Sequence, residues 1–111
     1  MKAGEIWWVN FDPTTGSEQA GRRPALIVSG NLLNNKAAVV LVCPITSKIK
    51  NYPFDIILKP QYPNGLQRKS EVLAMHLRSV AKDRLESRIG TISKQELAKI
   101  RVGIQETLTM D

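Results

Sequence analysis

The residues best suited to chemistry lie in one polar segment between two apolar runs, Gly16-Ser17-Glu18-Gln19-Ala20-Gly21-Arg22-Arg23-Pro24. This polar segment holds a carboxylate, an amide and two adjacent guanidinium groups. Gly21 tolerates a positive φ, and Pro24 fixes its own φ and favours an extended backbone at Arg23. We therefore interpret the segment as a loop that presents charge. The alternative is a polar hairpin connection with solvated arginines.

The whole chain is basic, and its charge limits the classes of partner. Its 111 residues carry 16 lysines and arginines against 10 acidic residues, a formal net charge of +6, and 42% are hydrophobic. This size and composition predict one domain, residues 1–111, with a single core. A small basic domain typically binds a polyanion, such as nucleic acid, an acidic protein or an anionic membrane surface.

The sequence gives little indication of a metal site, a disulfide bond or a membrane-spanning segment. Cys43 is the one cysteine, which excludes an internal disulfide, and its apolar surroundings are typical of a buried, unreactive thiol. One cysteine and one histidine offer few ligands for zinc. The longest apolar run, residues 37–45, is too short to span a bilayer, and the N-terminus lacks a signal-peptide pattern. We expect a cytoplasmic protein with no metal, no cofactor and no membrane partner.

Short runs of β-branched and aromatic residues predict a mainly β protein. The predicted strands are 5–11, 24–29, 37–45, 54–58, 70–80 and 89–92. The second strand is apolar enough to be buried on both faces. Polar connections are predicted at 30–36, at the basic loop 46–53 and at 59–65, with a short helical turn at 83–88. Pro44 predicts a bulge or an edge near the end of the third strand.

Alternation along two of these strands predicts which side chains face the core. Trp7 and Trp8 must point to opposite faces of their strand, so one enters the core and the other needs a second cover. In the strand 70–80, one face carries Leu73, Met75 and Leu77, and the other carries Ala74, His76 and Arg78. Met75 is therefore predicted to be a core residue.

The C-terminal segment predicts a helix that begins after Ser93 and ends near Leu108. Ser93 and Glu96 have the spacing of a capping box, and Ile92 and Leu97 that of a hydrophobic staple. The predicted buried stripe is Leu97, Ile100, Ile104 and Leu108. The strands and this helix together predict a mainly β (α+β) fold, a small antiparallel β-barrel with a C-terminal α-helix packed on it.

Several motifs follow one another along nearly the whole chain. They are Gly4-Glu5-Ile6-Trp7, Asn10-Phe11-Asp12-Pro13, the polar segment up to Arg23-Pro24, Pro44-Ile45-Thr46, Tyr52-Pro53-Phe54 and the residues 77–80. Their order and spacing resemble the MazF/PemK family of toxin endoribonucleases from type II toxin–antitoxin systems. The resemblance implies an SH3-like barrel, a homodimer and sequence-specific, metal-independent cleavage of single-stranded RNA that inhibits translation and growth. It also implies neutralisation by a cognate MazE-like antitoxin, through which alone the toxin would contact DNA.

The residue types fit metal-independent RNA cleavage. That reaction uses the 2′-hydroxyl of the substrate as nucleophile and needs a base, an acid and a cation for the phosphorane; it leaves 2′,3′-cyclic phosphate and 5′-hydroxyl ends. The resemblance implies catalytic roles for Arg23, a bidentate fork for phosphate, and for Thr46, whose hydroxyl can donate to a phosphate oxygen. Glu18 is the carboxylate candidate for proton transfer or substrate positioning. The alternative for Glu18 is a salt bridge to an arginine of the polar segment.

The chain departs from the family at one place. Met75 and His76 stand where some members carry an Asp-Gln pair, and the aspartate has an acid/base part in relatives that Met75 cannot play. His76 is a candidate substitute acid or base, because histidine is the residue type most often used for proton transfer. The alternative is a plain surface or interface histidine.

RNA is expected to lie along the polar segment and the basic loop. The candidate RNA contacts are Arg22, Gln19, Ser47, Lys48, Lys50, Tyr52 and Arg78, with Lys59, Arg68, Lys69 and Trp8 as further candidates. The cations would set affinity and salt dependence, and Tyr52 and Trp8 would stack on unpaired bases, unless Tyr52 lies in the core. Two other functions stay open, a non-enzymatic gyrase poison resembling CcdB, and a basic barrel that binds RNA without cleaving it.

Overall fold

The computed structural model describes residues 1–12 and 21–111, and residues 13–20, which include Glu18 and Gln19, lie outside this description. The strands are β1 (Glu5–Asn10), β2 (Arg22–Ile27), β3 (Val39–Thr46), β4 (Ile56–Leu58), β5 (Ser70–Val72), β6 (Arg78–Ala81) and β7 (Leu85–Thr91). The helices are α1 (Asn31–Lys36) and α2 (Lys94–Thr109). The prediction of a mainly β fold with a C-terminal helix is confirmed. No helix in the described ranges has the length and apolar character needed to cross a membrane.

The strands form one antiparallel sheet with the order β4-β5-β3-β2-β1-β7, and β6 pairs with β3. One edge of β3 is shared between two partners, since Val39 to Val42 pair with β6 whereas Ile45 and Thr46 pair with β5. Pro44 lies where the partner changes, and its carbonyl accepts the N–H of Leu73 at 3.0 Å. A proline fits this point because it has no N–H to give to a ladder. Within the described residues, backbone pairing leaves the predicted barrel open between β4 and β7.

Two apolar clusters pack on opposite faces of the central strands. The first lies between the sheet and α2 and includes Leu26 and Ile100, and the second includes Ala25, Ile27 and Phe11. Alternate residues of β2 enter different clusters, so β2 is buried on both faces as predicted. Cys43 lies in the first cluster, and burial raises the pKa of its thiol to about 12. The prediction that Cys43 is buried is confirmed.

The segment 70–80 is not one strand, and this prediction was wrong. A 3₁₀ turn at Ala74–His76 separates β5 from β6. The carboxylate of Asp55 accepts the N–H of Ala74 at 2.8 Å and thereby caps the turn. The turn breaks the two-residue period, so Leu73 and Ala74 are both buried while Met75 is 55% exposed. Met75 is therefore a surface residue and not the predicted core residue.

Two other segments differ from the sequence predictions. Residues 31–36 form the helix α1 where a turn was predicted, and the buried Asn34 anchors it by donating to the Ser29 carbonyl at 3.0 Å. The helical turn predicted at 83–88 is only the short 3₁₀ turn Lys82–Arg84, because β7 already begins at Leu85 and pairs along β1.

The helix α2 begins and ends close to the predicted residues, but one residue of its predicted buried stripe is exposed. Ser93 Oγ accepts the N–H of Glu96 at 3.0 Å, and Glu96 Oε1 accepts the N–H of Ser93 at 2.9 Å, which confirms the capping box. The buried residues of α2 are Ile100 and Gly103. Leu108 is 76% exposed and was wrongly predicted to be buried, since the last turn of α2 extends past the apolar cluster.

Candidate active site

A cleft of about 890 Å³ opens beside the end of β3. Residues from the start of β2, from the basic loop and from the chain just before β5 line it. Within the described part of its lining, the charged side chains are Arg22, Arg23, Lys48, Lys50 and Arg68. Because these side chains are all cationic, the cleft has the electrostatics of a site for a chain of phosphates.

Arg23 and Thr46 reach this cleft because β2 and β3 are antiparallel neighbours. Ala25 is the register partner of Pro44. Continuing this register by two residues on each strand brings Arg23 level with Thr46, and both residues line the cleft. The sheet therefore brings together the two residues that the sequence pairs for catalysis. Arg23 is half-buried.

Thr46 is well placed to donate a hydrogen bond. Its side chain is buried, and its Oγ1 accepts the backbone N–H of Lys48 at 3.1 Å. A hydroxyl that accepts in this way keeps its own proton for another acceptor. The Lys48 contact therefore restricts where the Thr46 proton points.

Arg22 has two partners at the rim of the cleft. Its guanidinium carbon lies 4.8 Å from the centre of the Trp8 ring, and its Nε pairs with the carboxylate of Glu86. Within the single chain, Arg22 thus covers the Trp8 ring, for which a helix or another subunit was the predicted cover, while Trp7 packs against the second apolar cluster. The carboxylate that pairs with Arg22 here is Glu86, a residue for which the sequence analysis gave no role.

A buried carboxylate lies on the inner side of the basic loop. Glu71 is fully buried, and it accepts the backbone N–H groups of Lys50 at 2.6 Å, Asn51 at 2.8 Å and Tyr52 at 3.1 Å. Asn51 has a φ of 59°, in the left-handed region that asparagine tolerates better than most residues. This conformation turns successive N–H groups toward one anion, as in the anion-binding nests of other loops.

The carboxyl groups of Asp55 and Glu71 interact, and the interaction shifts the pKa of each of them. Burial, and then the hydrogen bond to Glu71, raise the pKa of Asp55 to about 7. Burial alone would raise the pKa of Glu71, but the hydrogen bonds from Asp55 and from three backbone N–H groups outweigh it and lower that pKa. Asp55 Oδ2 is buried and accepts no hydrogen bond from a described residue, so no donor there offsets the cost of burying a negative charge. Below about pH 7 the pair therefore carries one proton and one negative charge.

The predicted site residues His76, Arg78 and Tyr52 lie outside the cleft lining, as do the further candidates Lys59 and Lys69. His76 is half-buried at the end of the 3₁₀ turn. Arg78 lies on β6 with its guanidinium carbon 5.3 Å from the centre of the Phe11 ring. Tyr52 is 41% exposed on the basic loop, so its alternative placement in the core is wrong. The cleft therefore unites the predicted residues of β2 and β3 with Ser47, Lys48 and Lys50.

The acidic residues beside the site, Glu71 and Asp55, were not predicted from the sequence. Glu71 was hidden inside a segment interpreted as an alternating strand, and Asp55 inside a short apolar one. A single glutamate between Ser70 and Val72 in a mostly apolar run was the available signal, because a charged residue in such a place needs a buried partner. Gln67, which also lines the cleft, carries no comparable signal.

Comparisons with known proteins agree with this fold. The endoribonuclease toxin MazF of Escherichia coli K12 is 40% identical over 102 residues, which cover 91% of this chain and 87% of that protein. A MazF crystal structure from Deinococcus radiodurans is similar with a TM-score of 0.84 at 35% identity, covering 99% of this chain and 97% of that one. A MazE–MazF complex from the same organism gives a TM-score of 0.77 at 31% identity, covering 100% and 97%. The family model for the PemK-like, MazF-like toxins of type II toxin–antitoxin systems matches residues 2–108, and the chain belongs to this family.

Proposed function

We propose that this chain is the toxin of a type II toxin–antitoxin system, a sequence-specific endoribonuclease that cleaves single-stranded RNA and so inhibits translation and growth. The observation that carries the proposal is the meeting of Arg23 and Thr46 in a cleft whose described charged side chains are cations. The relative in Escherichia coli K12 carries the name endoribonuclease toxin.

The proposed reaction is an attack of the 2′-hydroxyl on the adjacent phosphorus. The new bond joins O2′ to phosphorus, the bond from phosphorus to O5′ breaks, and the products are a 2′,3′-cyclic phosphate and a 5′-hydroxyl. Arg23 stabilises the charge on the non-bridging oxygens, and the Thr46 hydroxyl donates to one of them. Glu18 is the proposed proton acceptor for the 2′-hydroxyl, and the departing O5′ takes its proton from solvent water to become the 5′-hydroxyl. His76 lies outside the cleft lining, which weighs against it as the substitute acid or base.

The proposed reaction needs no metal ion or other cofactor. A divalent cation in a nuclease stabilises the phosphorane charge and binds through carboxylates. Here the cations Arg23 and Arg22 already line the cleft, and the described part of the lining offers no carboxylate to hold a metal. Arg23 takes the electrostatic role, and the bases of RNA have Trp8 at the rim as a stacking surface.

The proposed partners follow from the charge of the cleft and from the Deinococcus complex of MazE and MazF. An antitoxin of the MazE type, with an acidic segment that lies over the cleft, would compete with RNA for the same cations. Contact with DNA would occur only through that antitoxin. A homodimer would cover apolar side chains that are exposed in the single chain, among them Leu32, Met75, Val102 and Leu108. A toxin that acts on messenger RNA would work in the cytoplasm.

One assay tests the proposed function against its rivals. Purified protein is incubated with a long RNA in excess EDTA, and the ends of the products are determined by mass spectrometry. Fragments with cyclic phosphate and 5′-hydroxyl ends support the proposal, and Arg23→Ala provides the matched control. Fragments with 3′-hydroxyl ends that form only with magnesium would overturn the mechanism. A mobility shift without cutting would identify an RNA-binding barrel, and trapped gyrase complexes would identify a CcdB-like poison.

A further inference from the structure

The basic loop is fixed by a residue that the proposed chemistry does not use. Glu71 binds three consecutive peptide N–H groups of the loop, from Lys50 to Tyr52. Charge-assisted hydrogen bonds of this kind are stronger than neutral ones, and together they hold the peptide groups in one orientation. The hydrogen bond to Glu71 offsets the conformational cost of the positive φ at Asn51.

The other end of the same loop is anchored to the candidate catalytic threonine. Thr46 Oγ1 accepts the N–H of Lys48, and Thr46 is also the register partner of Glu71 across β3 and β5. Lys48 and Lys50 donate their own N–H groups to these two anchors, and both residues line the cleft. A loop released by Glu71 would carry the Lys48 N–H away from Thr46, so the threonine hydroxyl and both lysines would lose their fixed positions.

We propose that Glu71 is a positioning residue for the cleavage site, an inference that rests on the proposed function. It does not contact RNA. It holds the basic loop so that Lys48 and Lys50 face the phosphates and the Thr46 hydroxyl points at the scissile group. Asp55 supports it, because its carboxyl hydrogen-bonds Glu71 on one side and accepts the Ala74 N–H on the other.

The test substitutes Glu71→Gln, which keeps the shape of the side chain and removes its charge. A glutamine amide group brings N–H donors against the N–H groups of the loop, so only part of the hydrogen bonding survives. We expect the single-turnover rate at saturating protein to fall about tenfold or more, because misplacement of the Thr46 hydroxyl affects the chemical step. Affinity for an uncleavable 2′-deoxy substrate should fall less, and its salt dependence should weaken by roughly one or two phosphate contacts.

A double substitution separates positioning from general stability. If Glu71 acts by placing Lys48, then Lys48→Ala should weaken the salt dependence of binding less in the Glu71→Gln protein than in wild type. Ser93→Ala is the matched stability control, because it removes the cap of α2 and does not touch the cleft. It should lower the thermal midpoint and leave the rate and the salt dependence unchanged.

A second pair of variants serves if Glu71→Gln does not fold. Asn51 is an exposed residue, and Asn51→Pro removes one N–H and forbids the positive φ without changing the buried carboxylate. Asn51→Gly keeps both the N–H and the positive φ. We expect Asn51→Pro to lose at least several times more of the cleavage rate than Asn51→Gly.

The outcomes separate this inference from the proposed function. Wild-type rate and salt dependence in Glu71→Gln would overturn the positioning role, and so would equal rates in the two Asn51 variants. A rate loss in Ser93→Ala as large as that in Glu71→Gln would also overturn it, since Glu71 would then act only through stability. Failure of the wild type to cleave RNA would count against the proposed function instead. The salt dependence of RNA binding would still test whether Glu71 positions the loop.

Discussion

Thr46 and Glu71 face each other across β3 and β5, so a candidate catalytic hydroxyl and a buried carboxylate share one register position in the sheet. Each of them anchors one end of the basic loop, through Lys48 at one end and through Lys50 to Tyr52 at the other. The geometry of the cleft therefore depends on backbone hydrogen bonds that a buried acid accepts. It does not depend on the charged side chains of the loop alone.

The raised pKa of Asp55 predicts a pH dependence of stability. The pKa of Asp55 is raised from 3.8 to about 7 in the folded protein, so between these values the folded state holds a proton that the unfolded state has released. Stability must then fall as pH rises through this window, by no more than about 1.4 kcal/mol per pH unit, and level off above it. The Asp55→Asn side chain cannot ionise. As the pH rises from 5 to 7, the thermal midpoint of wild type should therefore fall relative to that of Asp55→Asn.

The other titratable groups near Asp55 do not disturb this comparison. The lowered pKa of Glu71 keeps it ionised above pH 5, and the Cys43 thiol, with a pKa of about 12, stays neutral. Thermal melts of the two proteins across pH 5 to 8 provide the measurement. Parallel curves over the whole range would show that Asp55 does not bind the extra proton.

The ion pair of Arg22 with Glu86 predicts a variant that binds RNA more tightly. The two side chains are 54% and 39% exposed, so RNA phosphate competes with Glu86 for the guanidinium of Arg22. Glu86→Gln should raise the affinity for uncleavable RNA about threefold at low salt, the size typical of an exposed ion pair, and the gain should vanish at high salt. Asp83→Asn is the control, because it removes the same charge from the exposed 3₁₀ turn before β7. Equal gains from both substitutions would indicate a general charge effect.

The sequence predicted those parts of the site that depend on neighbours in the chain or on strand alternation. Arg23 and Thr46 meet because two adjacent strands pair in an ordinary antiparallel register. The exposure of Met75 and the burial of Glu71 depend instead on the break between β5 and β6. That break needs Pro44 on the facing strand and the carboxylate of Asp55 at Ala74, contacts that join distant parts of the chain. Periodicity within 70–80 carries no information about either contact.

The close approach of α2 to Phe54, at the end of the basic loop, can be tested by a substitution at Gly103. A Cβ built on Gly103 would overlap the carbonyl oxygen of Phe54, which precedes Asp55. Alanine favours a helix over glycine by about 1 kcal/mol, but this overlap requires α2 or Phe54 to move, and such overpacking costs about 1–3 kcal/mol. Gly103→Ala should therefore lower the free energy of unfolding, measured by urea denaturation. Lys99→Ala, an exposed change on the same helix, should stay within about 0.5 kcal/mol of wild type. A stabilised Gly103→Ala protein would contradict the close approach of α2 to Phe54.

Removal of the Arg23 side chain is expected to slow the chemical step more than it weakens RNA binding. If Arg23 only anchored the RNA backbone, its removal would weaken binding and leave the rate at saturation intact. If it stabilises the phosphorane, the rate at saturation falls while binding changes less. We expect the second result for Arg23→Ala, with a loss on the order of 100-fold or more, as for other donors that act in the transition state. Arg23→Lys should recover little of this rate, because an ammonium group cannot make the bidentate contact.

The adjacent arginine gives the control for this prediction. Arg22 lines the same cleft but stacks on Trp8 and pairs with Glu86 at the rim, so Arg22→Ala should weaken the salt dependence of RNA binding more than it lowers the rate at saturation. The measurements are single-turnover rates at saturating protein, affinity for a 2′-deoxy substrate, and thermal midpoints that verify the fold of each variant. Equal saturating rates for wild type and Arg23→Ala would remove Arg23 from the catalytic residues and leave it as a phosphate anchor, with Thr46 as the remaining donor to the scissile phosphate.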